Sequence, residues 1–129
     1  MPAFHRDGTA PTDPNAVFVF GSNMLGAHAG GAARVAKDAF GAVEGVAIGP
    51  TGRSYAIPTM GRHGGQLSLS DISAHVAAFL DHARATPATL FFVTRIGCGI
   101  AGFRNDEIAP MFKGAPGNCS FAEGWREWL

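Results

Sequence analysis

Two glycine-rich stretches carry the residues of this chain best suited to chemistry. One is "GSNMLGAHAGGAARV", holding Gly30-Gly31-Ala32; the other is "RIGCGIAGF", holding Gly97-Cys98-Gly99-Ile100-Ala101-Gly102-Phe103. Glycine has no Cβ, so a ligand can come within hydrogen-bonding reach of main-chain N–H groups. A helix that opens at such a stretch adds a partial positive charge. Donors of this kind suit a diphosphate. Asn23, near the start of the first stretch, offers both a donor and an acceptor to ribose hydroxyls. His28, inside it, is the candidate acid or base, because an imidazole can move a proton near neutral pH. Cys98 has no base beside it in sequence, which favours a small turn residue over a nucleophile. Arg95 reads either as an ion-pair partner at a strand end or as a phosphate contact. Arg62 and His63, in "GRHGG", read either as a cover for the ligand or as an ordinary surface loop.

Other chemistries find little support. No G-x-x-x-x-G-K-[ST] is present, and no G-x-G-x-x-G opens a strand-linked helix, so neither standard nucleotide fingerprint applies. No Cys/His spacing of a zinc site occurs, and neither a metal nor a cofactor is expected. His75 and His82 sit beside the apolar stripe of a helix and read as edge residues.

The elements that must position the two stretches follow from periodicity and punctuation. "AVFVF", 16–20, is a short apolar run of the kind covered on both faces of a sheet. It leads through the first stretch into a helix over 29–40 that ends at Gly41. Strands are expected at 44–48 and 54–57, joined by a turn at 49–52 and closed by Pro58. "SLSDISAHVAAFLDHARA" places Ile72, Val76, Phe79, Leu80 and Ala83 at helical spacing behind a Ser70 cap. "ATLFFVT", 88–94, is a further apolar strand that runs into the second stretch. A short helix over 106–113, a strand near 119–121 and packing anchors at Trp125 and Trp128 complete the chain. Residues 1–15, with Pro2, Gly8, Pro11 and Pro14, read as an irregular lead-in, and 16–129 as a single domain. Strands alternating with helices predict an α/β fold with a mostly parallel sheet between helical layers, and ligands in such sheets bind beyond the carboxyl ends of the strands. Both glycine-rich stretches fall there.

Bulk properties set the remaining bounds. In 129 residues, 47% are hydrophobic and 16% charged, with ten Lys plus Arg balancing ten Asp plus Glu. That size supports one core, and the charge balance gives no field for gathering nucleic-acid backbones. No apolar run approaches the ~18 residues of a membrane span. The polar opening "MPAFHRDGTAPTDPN" lacks the apolar segment of a secretory leader, and Cys98 and Cys119 are expected to stay reduced, which implies a cytoplasmic setting. A neutral domain of this size is compatible with a monomer.

"NMLGAHAGGAARVAKDAFG", Asn23 to Gly41, and "GCGIAGF", Gly97 to Phe103, resemble the two ligand loops of the macro domain family, and the likeness extends over about 17–121. The chain is similar above all to small macro-like proteins of phages and bacteria. The resemblance implies a three-layer α/β/α domain with a mixed, mostly parallel sheet that binds ADP-ribose or a related ADP-ribosyl group, free or on a small molecule or protein. It implies that Asn23 contacts the distal ribose, that Gly30, Gly31 and Ala32 hold the diphosphate, and that Gly97–Phe103 closes over it, with Gly99, Ile100, Gly102 and Phe103 in contact. Phe103 would offer an apolar face to a sugar or base. The aspartate that contacts adenine in many such domains finds a stand-in at Asp13. "RIGCG" also resembles the branch with glycohydrolases and phosphatases acting on ADP-ribosyl derivatives. The acidic positions of the hydrolytic members, however, are Ala33 and Ala101 here. Binding is therefore the first reading, hydrolysis with His28 the second, and a Rossmann-like nucleotide protein of the lysine-decarboxylase-like group a distant third.

Overall fold

The computed structural model describes residues 2–129. Strands form at Ala3–His5 (β1), Val17–Asn23 (β2), Gly49–Thr51 (β3), Ser54–Met60 (β4), Phe91–Val93 (β5) and Cys119–Ala122 (β6). Helices span Gly31–Phe40 (α1), Leu69–Ala85 (α2) and Asn105–Ile108 (α3), the last continuing into a 3-10 turn at Ala109–Phe112. The strands join one sheet in the order β1-β6-β5-β2-β4-β3. Every pairing is parallel except that of β3 with β4.

Alternation along the strands assigns the two faces of the sheet. Phe18 and Phe20 of β2, Ala56 of β4 and Phe92 of β5 pack with Ala33, Ala36 and Phe40 of α1. Val19, Tyr55, Ile57, Phe91 and Val93 turn the other way, onto Ile72, Val76, Phe79 and Leu80 of α2 and onto Phe112 and Trp125. Burial of one such side chain is worth about 1.5–3 kcal/mol, so both faces must be covered, and three layers result. The α2 stripe matches the spacing in the sequence. Its cap is Ser68 and not Ser70: Asp71 N donates to Ser68 Oγ at 3.1 Å.

Several expectations change. The lead-in is not wholly irregular, because Ala3–His5 pairs with Ser120–Ala122. Three residues give no pattern of their own; the ladder comes from a partner more than a hundred positions away. Residues 44–48 form no strand, and β3 instead takes up Gly49–Thr51, where a turn was expected. Pro50 is tolerated there because β3 is an edge strand. Pro58 does not close β4, which runs on to Met60. β3 pairs with β4 only as far as Ala56 and the next pairing on that edge, Met60 with Gln66, begins two residues past Pro58, so a residue without an N–H fits in the gap. The strand expected over 88–94 shortens to Phe91–Val93, and the helix expected over 106–113 splits into α3 and the 3-10 turn.

This topology opens a crevice. The chain leaving β2 crosses through α1 toward β3 and β4, whereas the chain leaving β5 crosses through α3 toward β6. The two strands are neighbours and their connections diverge, which separates the loops at their carboxyl ends.

Candidate functional site

The first loop runs from the end of β2 to α1, and its shape is fixed largely by its own side chains. Asn23 Oδ1 accepts from the N–H groups of Leu25 (3.2 Å) and Ala27 (3.1 Å), while Asn23 Nδ2 donates to the Ala27 carbonyl at 3.0 Å. Beneath it lies the segment after α1. Gly45 N donates to Gly26 O at 2.9 Å, and His28 N donates to Glu44 Oε1 at 3.0 Å. Gly26 has φ +69°, and a Cβ there would run into the backbone of Gly45, so the close approach requires glycine. The His28 hydrogen bond, helped by Lys37, holds the Glu44 carboxyl below the usual carboxylate range.

The loop delivers the chain to α1 without a side-chain cap. Gly30 is the N-cap residue, extended and without a side chain to offer, and no acidic residue stands in the first turn. The opening N–H groups of a helix need partners. The crevice opens beside them, its wall including Gly30, Gly31, Ala32 and Ala33.

The second loop forms the opposite wall. Phe103 N donates to Gly97 O at 2.8 Å and Gly102 N to Gly99 O at 3.0 Å, which folds Gly97–Gly102 into a tight bend. Gln66, from the turn after β4, donates from Nε2 to Ala101 O at 2.7 Å. Ile100 is 73% exposed and leans across the gap: a Cβ added at Gly31 would stand 3.2 Å from its Cδ1. Between the loops lies a cleft of about 500 Å³ whose floor is Gly21, Ser22, Thr59 and Thr94.

Asn23, Gly30, Gly31, Ala32, Gly97, Cys98, Gly99, Ile100 and Ala101 all come together around this cleft. Gly102 does not line it. Phe103 is buried beneath Gly97, in the core with Ile108, so its ring offers no face to a ligand. His28 also departs from expectation. It is fully buried, with Nε2 3.1 Å from Val43 O and the ring edge-on to Phe20, 5.3 Å between centroids. That placement takes its ring out of the cleft and makes it a brace under the loop. Its Nδ1 has no partner among the described residues. Sequence spacing placed His28 in the right loop, but contact with Val43, fifteen positions on, decides which way it turns. Burial pushes the Cys98 thiol up to about 11, against the pull of Arg95, so it stays protonated at neutral pH.

Asp13 is spent on a local turn, accepting from Asn15 N at 2.8 Å. The aspartate near the cleft is instead Asp7, which the sequence reading missed. It follows β1 and lines a second hollow, of about 330 Å³, with His5, Phe18 and Phe92. His5 stacks on Phe92 at 3.7 Å between centroids, and Nδ1 lies 2.8 Å from Ser120 Oγ. Burial holds His5 below its ordinary value despite Asp7 nearby, which leaves a neutral aromatic floor. The hollow adjoins the cleft and shares Ala32, Thr94 and Arg95 with it. The hidden signal was β1: once Ala3–His5 is a strand, Asp7 stands at a strand's carboxyl end like the two loops.

No family model matches the chain, and no curated protein is similar to it in sequence. Solved structures do share its fold. The macrodomain of Mycobacterium tuberculosis DarG superposes with a TM-score of 0.64 at 15% identity, over 93% of this chain and 97% of that one. DarTG of Thermosipho africanus, solved in complex with ADP-ribose, gives 0.60 at 12% identity, over 84% of this chain and 38% of that one. A protein of unknown function from Bacteroides thetaiotaomicron gives 0.59 at 16% identity, over 95% and 97%. The strand order, the layers and these superpositions together identify the fold as that of a macro domain, not a Rossmann-like one.

Proposed function

We propose that the cleft binds ADP-ribose or a related ADP-ribosyl nucleotide. The observation that carries this reading is the uncapped start of α1 facing the second glycine loop across one cavity. Main-chain donors on two walls suit a diphosphate, whose oxygens accept on both sides. The adjoining hollow suits the base, with an aromatic floor for stacking and the Asp7 carboxylate to accept from an exocyclic amino group. The distal ribose then lies toward Asn23, whose carbonyl oxygen and amide are already engaged with the loop, so Asn23 shapes that end of the cleft at least as much as it touches ligand. The complex of the Thermosipho DarTG with ADP-ribose supports the choice of ligand.

Binding without turnover fits the lining best. Ala33 and Ala101 both face the cleft, and no carboxylate or imidazole lines it among the described residues. Hydrolysis of an ADP-ribosyl bond calls for a group that activates water or protonates the leaving oxygen. We further propose that the chain works as a single monomeric domain in a reducing compartment, where Cys98 and Cys119 stay free.

Calorimetric titration with ADP-ribose, followed by incubation with ADP-ribosylated protein and with ADP-ribose 1″-phosphate, tests the reading. Saturable one-to-one binding with both substrates unchanged is the expected result. Product formation shifts the assignment to a hydrolase, and lack of binding to any ADP-ribose derivative removes it.

A further inference from the structure

Arg95 follows β5 and stands where the two cavities meet, lining both. It is the one charged side chain among the described residues lining the larger cleft, where the other polar groups are backbone amides and the neutral side chains of Ser22, Asn23, Thr59 and Thr94, with the protonated Cys98 thiol beside them. A diphosphate diester brings two negative charges, and a chain with ten acidic and ten basic residues has no general field to offset them. The guanidinium is turned instead toward Asp7, with Nε 3.4 Å from Oδ1 and side-chain exposures of 44% and 40%. So long and hydrated an ion pair is weakly held. Phosphate offers a guanidinium shorter, paired hydrogen bonds.

We infer that Arg95 is an exchangeable cation that selects nucleotides carrying a diphosphate. When such a ligand spans both cavities, the guanidinium leaves Asp7 for the diphosphate, and the freed Asp7 carboxylate accepts from the amino group of the base. This rests on the ADP-ribose reading for the identity of the ligand, but the exchange concerns residues of this chain alone. Its consequence is that the two halves of the ligand help one another. A base alone meets an Asp7 already engaged by Arg95, and a diphosphate alone must leave the Asp7 charge unpaired.

Titration of wild type, Arg95→Ala and Asp7→Ala with ADP-ribose, adenosine and inorganic pyrophosphate tests the exchange. Both side chains are half-exposed, and equal thermal midpoints check that the variants fold. Arg95→Ala is expected to bind ADP-ribose and pyrophosphate about tenfold or more weakly, and adenosine severalfold more tightly than wild type because Asp7 is freed. Asp7→Ala is expected to bind pyrophosphate severalfold more tightly yet ADP-ribose more weakly, a reversal that general damage to the fold does not produce. Unchanged affinity of Arg95→Ala for ADP-ribose, or equal losses for adenosine and ADP-ribose, overturns the exchange and leaves the binding reading standing. Wild-type protein that ignores ADP-ribose but holds pyrophosphate through Arg95 overturns that reading and keeps the cation. Failure of wild type to take either diphosphate overturns both.

Discussion

The two loops that wall the cleft are built in opposite ways. The first is tied down from inside and below: Asn23 holds its crest, and Gly26 and His28 are bonded to the 43–45 segment. In the second, Gly97–Gly102 has its own bend and one external side-chain bond, from Gln66, among the described residues, and carries the exposed Ile100 in its middle. A rigid wall keeps backbone donors aimed before any ligand arrives, which lowers the ordering cost of binding. A lightly held wall can yield as a ligand enters and then settle over it. The α1 side is thus the pre-set wall of the cleft and the Gly97–Gly102 side the more lightly held one.

Substitutions at equivalent glycines separate the walls most sharply. Gly26→Val forces a branched side chain into left-handed backbone and against Gly45, and is expected to cost about 2–4 kcal/mol in chemical denaturation. Gly99→Ala meets nothing within 4 Å and is expected to stay within about 0.5 kcal/mol of wild type. Comparable losses at both positions would erase the distinction. Next comes His28→Ala, which empties a buried site and removes one of the two donors to the Val43 carbonyl, leaving only Val46 N. A loss of about 2–3 kcal/mol is expected, with ADP-ribose affinity recovering at low temperature, where the fold is intact. Loss of a catalytic rate at full stability would instead return His28 to the chemistry.

Gln66→Ala is expected to invert that pattern. One exposed hydrogen bond is worth about 0.5–1.5 kcal/mol, so the thermal midpoint should fall by only a few degrees while ADP-ribose dissociates severalfold faster. Unchanged dissociation would mean that Gln66 does not hold the second wall. The smallest effect is set by pH. Because the folded Glu44 carboxyl is held below its ordinary 4.5, its contribution is complete above that value and is lost as pH falls through the lowered one. The His28 amide resonance should therefore titrate below pH 4.5 in wild type and lose that step in Glu44→Gln.

The parts legible in the sequence were those with local signals. Small residues between an apolar strand and a helix marked the first loop, the 3.6-residue stripe marked α2, and the two glycine clusters pointed to one cleft. What escaped depended on distant partners. Three residues of β1 exist as a strand because β6 recruits them, and with β1 went Asp7. Phe103 follows a glycine cluster and so looked like part of the ligand surface. The bond from its N–H to Gly97 O turns it into the core. His28 was in the correct loop, but its direction is decided by a segment on the far side of α1.

The placement of β1 bears on how the protein is handled at the bench. His5 and Asp7 reach the aromatic hollow directly from the first strand, so trimming the opening residues, or fusing a bulky tag against them, strips one end of the proposed binding surface while both glycine loops stay in place. A shortened version that passes every check of solubility and helicity would, on the proposed reading, grip only the phosphate half of an ADP-ribosyl ligand, and weak binding by such material would say nothing about the chain with β1 in place.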